Sequence, residues 1–378
     1  MLNELALNYS NQCQEELKEL LFTLCAIPAP SNNEIKRAEF CKKWLEDNGA
    51  KGVYIDEALN CVFPYECEND DELMMICAHT DTVFPDLEPF SVKVEDDLAY
   101  CPGIGDDTAN LAQLMMLIKF VLKNEIKPKH GIVFACNAGE EGLGNLKGVR
   151  KLMEDYKGRV KEFISLDGSY MGICNKAVGS MRYEVTVKTI GGHSYGSFGN
   201  PNAIERLSAI ISSLYSMRIP QKENAKTTYN VGLINGGTSV NTIAQEASML
   251  FEMRSDDKDS LDNVKAQFEG IISMYRASGL EVDVKVVGER PCMGVVDADA
   301  QKALEQRASD AIIAQYGTEP HFGSGSTDCN IPFSLGIPSV CFGGYLGRGA
   351  HTRSERITLS SLPVGTKVLM EFLMSYFA

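Results

Sequence analysis

No apolar run in this chain approaches the ~18 uninterrupted residues that a helix needs to cross a bilayer. That argues against a membrane span. The 12 cysteines include no Cys-x-x-Cys pair. Several sit inside apolar runs (Cys25, Cys77, Cys136, Cys341), as buried reduced thiols do, and this points to the cytosol. A basic stripe is missing too. Asp and Glu number 51 against 36 Lys and Arg, giving a net charge of −15. Nucleic acid is a poor partner for such a surface. There is no low-complexity tract and no internal repeat. The stretch Met1 to Ser10 carries Glu4 and no basic flank, so it lacks a secretory pattern.

What is present suits a globular protein. With 44% hydrophobic and 23% charged residues over 378 positions, the chain is ordered and long enough for two domains. Its most informative stretch is LMMICAHTDTVFP. The apolar run Leu73 to Ala78 reads as a strand buried on both faces, and it ends abruptly in His79-Thr80-Asp81. Ligands of open α/β sheets sit beyond the carboxyl ends of the strands. Residues two apart on a strand point the same way, and a carboxylate beside a histidine orients an imidazole that holds a metal. Alone, such a pair is more often a local hydrogen bond or a turn than a metal site.

Four further stretches follow the same pattern. Asp106 and Asp107 come after a Gly/Pro loop and stand at the N-terminus of a helix predicted from Thr108 to Lys123. Leu111, Leu114, Met115 and Ile118 give that helix its buried face. Helix capping is the plain alternative for either aspartate. Glu140 and Glu141, flanked by glycine, end the strand-like run from Gly131 to Asn137. Two bare charges there are costly to bury, though a surface loop would tolerate them. Asp167 ends the run Phe163 to Leu166. His351 lies beyond the strand-like run Pro338 to Phe342 and a glycine-rich loop.

Their joint occurrence decides the matter. Two histidines and several carboxylates at sheet-end positions match the nitrogen and oxygen ligands that suit zinc. A carboxylate can bridge two divalent ions roughly 3.5–4 Å apart, as in aminopeptidases. The sequence reads as a two-metal hydrolase.

From IPAPSNNE near the start to GAHTRSE near the end, the chain resembles the di-zinc peptidases and deacylases that include peptidase T, aminoacylase and glutamate carboxypeptidase. The resemblance implies that His79, Asp106 and Asp167 hold one ion, with Asp106 bridging. Glu141 and His351 would complete the second site, Asp81 would orient His79, and Glu140 would be the general base. It implies two divalent ions per chain, zinc foremost, with cobalt or manganese acceptable to the same ligands. Such ions bring a bound water toward ionisation at neutral pH. Glu140 would then take the water's proton and pass it to the leaving amine.

The resemblance also covers an inserted region. His193, in GGHSYGSFGNPNAI, would donate to the oxyanion from a domain that reaches a partner subunit's site. Asn241 would contact substrate, and Arg254 would grip a carboxylate or carbonyl with its planar fork. Ser326 belongs to GSGSTD, a loop whose backbone amides could cradle a carboxylate. The substrate implied is a short peptide opened at its N-terminal residue, as in tripeptidase-like members. An N-acyl amino acid or a carboxypeptidase substrate is the alternative, and a non-catalytic binding protein a remote one.

The expected architecture is α/β: a zinc-peptidase catalytic domain with a mostly parallel mixed sheet flanked by helices, and an inserted ferredoxin-like α+β lid and dimerisation domain. The catalytic domain takes residues 1–179 and 289–378, and the insert takes 180–288. Tyr183, Val185 and Val187 alternate with polar residues, an antiparallel signature. Helices near 202–217 and 261–278 and strands near 228–235, 248–255 and 281–287 complete a β-α-β-β-α-β order. A homodimer with shared active sites is expected.

Overall fold

A computed structural model of the chain describes residues 2–68, 70–223 and 225–377. These form two compact units, Met1–Ala177 with Gly294–Ala378, and Val178–Met293.

The first unit is built on a mixed eight-stranded sheet. In spatial order its strands are Tyr54–Ile55, Cys61–Tyr65, Ile132–Asn137, Leu73–His79, Val160–Leu166, Ser339–Phe342, Gly172–Ala177 and His321–Gly325. Four neighbours in the middle, from Ile132–Asn137 to Ser339–Phe342, run parallel. Three of the four are buried along their whole length, which is why they read as continuous apolar runs without alternation. Helices pack against them: Asn110–Lys123 on Leu73–His79 and Val160–Leu166, and Ala298–Tyr316 on Ser339–Phe342. Phe134, Phe163 and Phe342 lie in this core, each stabilising the fold by roughly 2 kcal/mol through burial. Parallel pairing puts all four carboxyl ends on one edge. His79 stands level with Asn137 there, and Leu166 with Phe342. A small antiparallel sheet, Gly347–Arg348, Arg356–Thr358, Leu98–Tyr100 and Lys93–Glu95, completes the unit.

The second unit is a four-stranded antiparallel sheet in the order Thr227–Gly236, Glu246–Ser255, Gly179–Lys188, Glu281–Arg290. Helices Ala203–Leu214 and Lys258–Ala277 connect them in the β-α-β-β-α-β sequence of a ferredoxin-like unit. Along Glu246–Ser255 the inward residues Ala247, Met249, Phe251 and Met253 are buried. Phe268 of the longer helix stacks between Tyr183, at 4.5 Å, and Phe251, at 5.2 Å. That helix starts at Asp257, whose carboxylate accepts from the Ser260 amide at 2.8 Å. The cap satisfies an end donor and places negative charge at the positive end of the dipole.

Among the described residues, no helix is long and apolar enough to cross a membrane. All 12 cysteines are free, and all but the half-buried Cys174 are buried.

Two local expectations need correcting. The helix begins at Asn110, not Thr108, after a wide helical turn spanning Ile104–Ala109 in which Asp106 and Asp107 leave helical geometry. Neither aspartate caps it. Gly323 to Gly325 are not loop: they belong to the edge strand His321–Gly325, drawn into parallel pairing with Gly172–Ala177. Only from Ser326, which is half-buried, does the chain leave the sheet.

Candidate metal centre

The edge where the parallel strands end collects the acids and histidines. His79 closes its strand and is buried. Its Nδ1 lies 3.1 Å from the carbonyl oxygen of Asp81, and its Nε2 lies 3.1 Å from Asp106 Oδ1. A carbonyl only accepts, so Nδ1 must carry a proton and donate it. In the neutral ring Nε2 is then a lone pair aimed at a carboxylate. Two acceptors at that distance require a proton or a cation between them.

Asp106 faces two ways. Its second oxygen, Oδ2, is 3.1 Å from His351 Nε2, which in turn is 3.0 Å from Glu141 Oε1. Among the described residues that buried Glu141 oxygen has no other donor. Three sets of possible ligand atoms converge, each within 4.8 Å of one another: Asp106, Glu141 and His351; His79, Glu140 and Glu141; and His79, Asp107 and Asp167. The five positions His79, Asp106, Glu141, Asp167 and His351 are thus brought to one edge of one sheet, with Glu140 and Asp107 among them.

The acids outnumber the imidazoles, and their ionisation shows the strain of that imbalance. Burial, with Asp106 nearby, pushes the Asp167 carboxyl up to about 7. Burial also carries Asp107 well above the ordinary carboxylate range. Burial disfavours charging His79, yet Asp107, Asp106 and Asp81 together hold its pKa well above the usual imidazole value. Hydrogen bonds to Asp106 and Glu141 raise His351 to about 10. Burial works against Asp106, but His351 and His79 keep its carboxyl well below normal. Buried carboxylates in such number are costly unless cations balance them. Two imidazoles with surplus carboxylates, two carboxylate oxygens sharing the one Nε2 of His351 and a His79 ring nitrogen facing an acceptor make a donor set that fits divalent ions.

Around these groups lies a scaffold in which the sequence reading placed Asp81 but not the bonds that hold it together. Asp81, fully buried, makes its strongest bonds away from His79. Its Oδ1 accepts from the Glu140 amide and its Oδ2 from the Glu141 amide, both at 2.9 Å, and Ser31 Oγ donates to it at 2.7 Å. Its nearer oxygen stands 3.5 Å from His79 Nδ1, so the carbonyl of Asp81 orients the ring more directly than its carboxylate does. Asp107 accepts from the His79 amide at 3.0 Å and from Asn110 Nδ2 at 2.7 Å. Glu355 gathers the amides of Gly103, Gly105 and Asp106, each at 2.8 Å. Arg37, only 3% exposed, donates to the carbonyls of Leu24, Ile27 and Thr80 and to Thr108 Oγ1. Ser31 and Glu355 lie inside IPAPSNNE and GAHTRSE, and a serine just after Pro30 and an acid four positions after His351 were the signals available.

The residues expected in the second domain lie in the second unit. His193 pairs with Thr242 in a two-stranded ribbon, exposed. The amides of Tyr195 and Gly196 point at its Nδ1, at 3.3 and 3.2 Å. Two donors make Nδ1 an acceptor, so Nε2 carries the proton and is the free donor of the ring. Asn241 is exposed next to it; its backbone carbonyl accepts from the Ser194 amide at 2.9 Å, and its side-chain oxygen accepts from Ser239. Arg254 is already engaged, its Nε and Nη2 each 2.9 Å from the Glu252 carboxylate, which Arg182 shares.

Fold and site together define a metal-dependent hydrolase acting on amide bonds. The chain belongs to Peptidase family M20/M25/M40, whose sequence profile matches residues 75–375. It is similar to a succinyl-diaminopimelate desuccinylase of Corynebacterium glutamicum, 24% identical over 359 residues that cover 93% of this chain and 94% of the relative. Its fold is that of a tripeptidase from Staphylococcus aureus (TM-score 0.74, 23% identity, 96% of this chain and 98% of that one). The same fold is found in a dinuclear metal-binding peptidase from Bacillus subtilis (TM-score 0.65, 18% identity, 97% and 99%).

Proposed function

We propose that the protein is an aminopeptidase of tripeptidase type, releasing the N-terminal residue of short peptides with two divalent metal ions, zinc by preference, held at the sheet edge. His79, Asp106 and Asp167 would hold one ion, and Asp106, Glu141 and His351 the other. One observation carries the reading: the two oxygens of Asp106 each face the Nε2 of a different histidine at 3.1 Å. A carboxylate so placed is suited to bridge. When bound, the ions would supply an acidified water and polarise the scissile carbonyl.

The protein's own groups would do the rest. Glu140 hangs by its amide from Asp81 and would accept a proton from the attacking water, then return it to the departing amine. His193, with its proton fixed on Nε2, would donate to the oxygen that gains charge. Asn241 would hold the substrate from the same ribbon. Ser326 and the backbone after it would meet the substrate's far end. Arg254 would reach a substrate carboxylate only by exchanging Glu252 for it, since one guanidinium fork serves one such partner at a time. A homodimer in which the second unit of one protomer serves its partner is part of this reading.

A second reading, amide hydrolysis of an N-acyl amino acid, is favoured by the full-length likeness to a desuccinylase. A panel of tripeptides, dipeptides and N-acyl amino acids separates the two. Glu140→Gln should retain two ions per chain by elemental analysis while turnover falls by roughly 10²–10⁴-fold. Loss of metal with unchanged turnover of whatever remains loaded would remove Glu140 from the chemistry.

A further inference from the structure

The small sheet of the first unit holds a feature that the metal centre does not use. Arg348 and Arg356 are direct cross-strand partners in the antiparallel pair Gly347–Arg348 with Arg356–Thr358. Opposed like charges destabilise a ladder, because side chains directly across from each other stand only about 5 Å apart at Cβ. In a chain with 51 acids and 36 bases, an acid between them would be the ordinary remedy. None is there. Among the described residues neither guanidinium meets a carboxylate, and the recorded neighbour of Arg356 is the Tyr100 ring, at 5.9 Å. Arg353, between them in sequence, shows the contrast: it grips Asp86 with two bonds of 3.0 and 2.7 Å.

Both unpaired arginines line one cavity of about 420 Å³, together with Ser169, Leu98, Met171 and Leu346. The Ser169 hydroxyl oxygen accepts from the Met171 amide at 3.2 Å, which leaves its proton to donate. The cavity therefore presents two forked cations and a hydroxyl donor against three apolar side chains. Guanidinium pairs match a carboxylate bidentately, and the apolar wall suits a few methylenes. Its position ties it to the metal centre. His351 follows Arg348 by three positions, a span of at most ~11 Å between Cα atoms. Glu355, which gathers the amides around Asp106, immediately precedes Arg356, and Ser169 follows Asp167 by two residues.

We propose that Arg348, Arg356 and Ser169 bind a carboxylate carried on a short aliphatic chain, so that the substrate is one with an acidic side chain or a dicarboxylic acyl group. This rests on the amide-hydrolase reading for its meaning as substrate recognition, but the binding itself does not. Calorimetric titration of the metal-loaded enzyme with succinate should show saturable binding, absent with succinamide. Each of Arg348→Gln and Arg356→Gln should weaken it by about tenfold, as expected for losing a charge-assisted hydrogen bond, and Arg348→Lys should recover part. In turnover, the ratio of kcat/KM for a glutamate-bearing substrate over its glutamine counterpart should fall about tenfold in either Gln variant. Circular dichroism and metal content matching the parent confirm that the variants are folded and loaded. Succinate binding that survives in the double variant would place the anion on the metal ions or elsewhere and overturn the proposal. So would an acid-over-amide ratio that does not move. If the parent cleaves no amide at all, the amide-hydrolase reading fails, and the titration alone still decides the pocket.

Discussion

The two units carry their chemical groups in opposite ways. In the first, His79, Asp107, Glu140 and Glu141 are buried, and the backbone around them is tied by Asp81, Glu355 and Arg37. In the second, His193 on a short two-stranded ribbon and Asn241 just before its second strand are exposed, held by turn amides and one hydroxyl. Burial in low dielectric strengthens every charge interaction and makes each missing partner costly. Exposure removes both effects. The first arrangement suits groups that must not move relative to one another. The second suits a donor that meets its target only when the substrate is in place.

Three substitutions would break or sharpen this contrast. The largest expected effect is on turnover. His193→Ala should lower kcat by roughly 10²–10³-fold, the usual loss for one oxyanion donor, with metal content unchanged by elemental analysis. Loss of an ion would mean that the ribbon belongs to the metal centre. Mixing that variant with Glu140→Ala subunits should restore activity; a mixture no better than its components would argue against sites shared between protomers.

Next in size is Glu355→Gln, which weakens three amide bonds without touching a proposed ligand. Groups that orient ligands typically account for 10–100-fold in metal affinity. Titration against a competing chelator should find a loss in that range, and an unchanged affinity would show the Asp106 loop to be rigid without Glu355.

The smallest effect belongs to the second unit's frame. Hydrogen bonds from Lys222 and Ser260 lower the Asp257 carboxyl to about 2. A depressed carboxyl contributes stability that is present above its unfolded pKa near 4 and is lost as pH falls through about 2. Asp257→Ala should therefore destabilise by about 1 kcal/mol at neutral pH. Its melting curve should converge on the parent's as pH drops from about 4 toward 2, and a gap independent of pH would mean that the charge plays no part.

Much of this was legible in the sequence, for physical reasons that also mark where legibility stops. Apolar runs without alternation ending in His79, Glu140 or Asp167 signal parallel strands and what lies at their ends, because burial on both faces leaves no polar periodicity to confuse the reading. Alternation at Tyr183, Val185 and Val187 likewise exposed the antiparallel sheet, whose expected strands near 228–235 and 248–255 extend to Thr227–Gly236 and Glu246–Ser255. The start of the helix at Asn110 was missed because the Asp107 carboxylate accepts from the amide of a strand residue 28 positions earlier and from the Asn110 side chain, and from no backbone amide of its own helix. The strand at Gly323–Gly325 was missed because glycine has no β preference of its own; only Gly172–Ala177 beside it makes it a strand. Glu355 acts on amides about 250 residues earlier, and no local pattern encodes that.

One bond pattern has a further consequence. Because a single aspartate clasps the amides of both Glu140 and Glu141, the orientation of both amides is fixed by the bite of one carboxyl group. The backbone at Glu140 and that at Glu141 cannot be reoriented separately. Variation at this corner should therefore be all or nothing, and any change in the size of an ion held there would have to be absorbed at His351, which stands exposed in a turn.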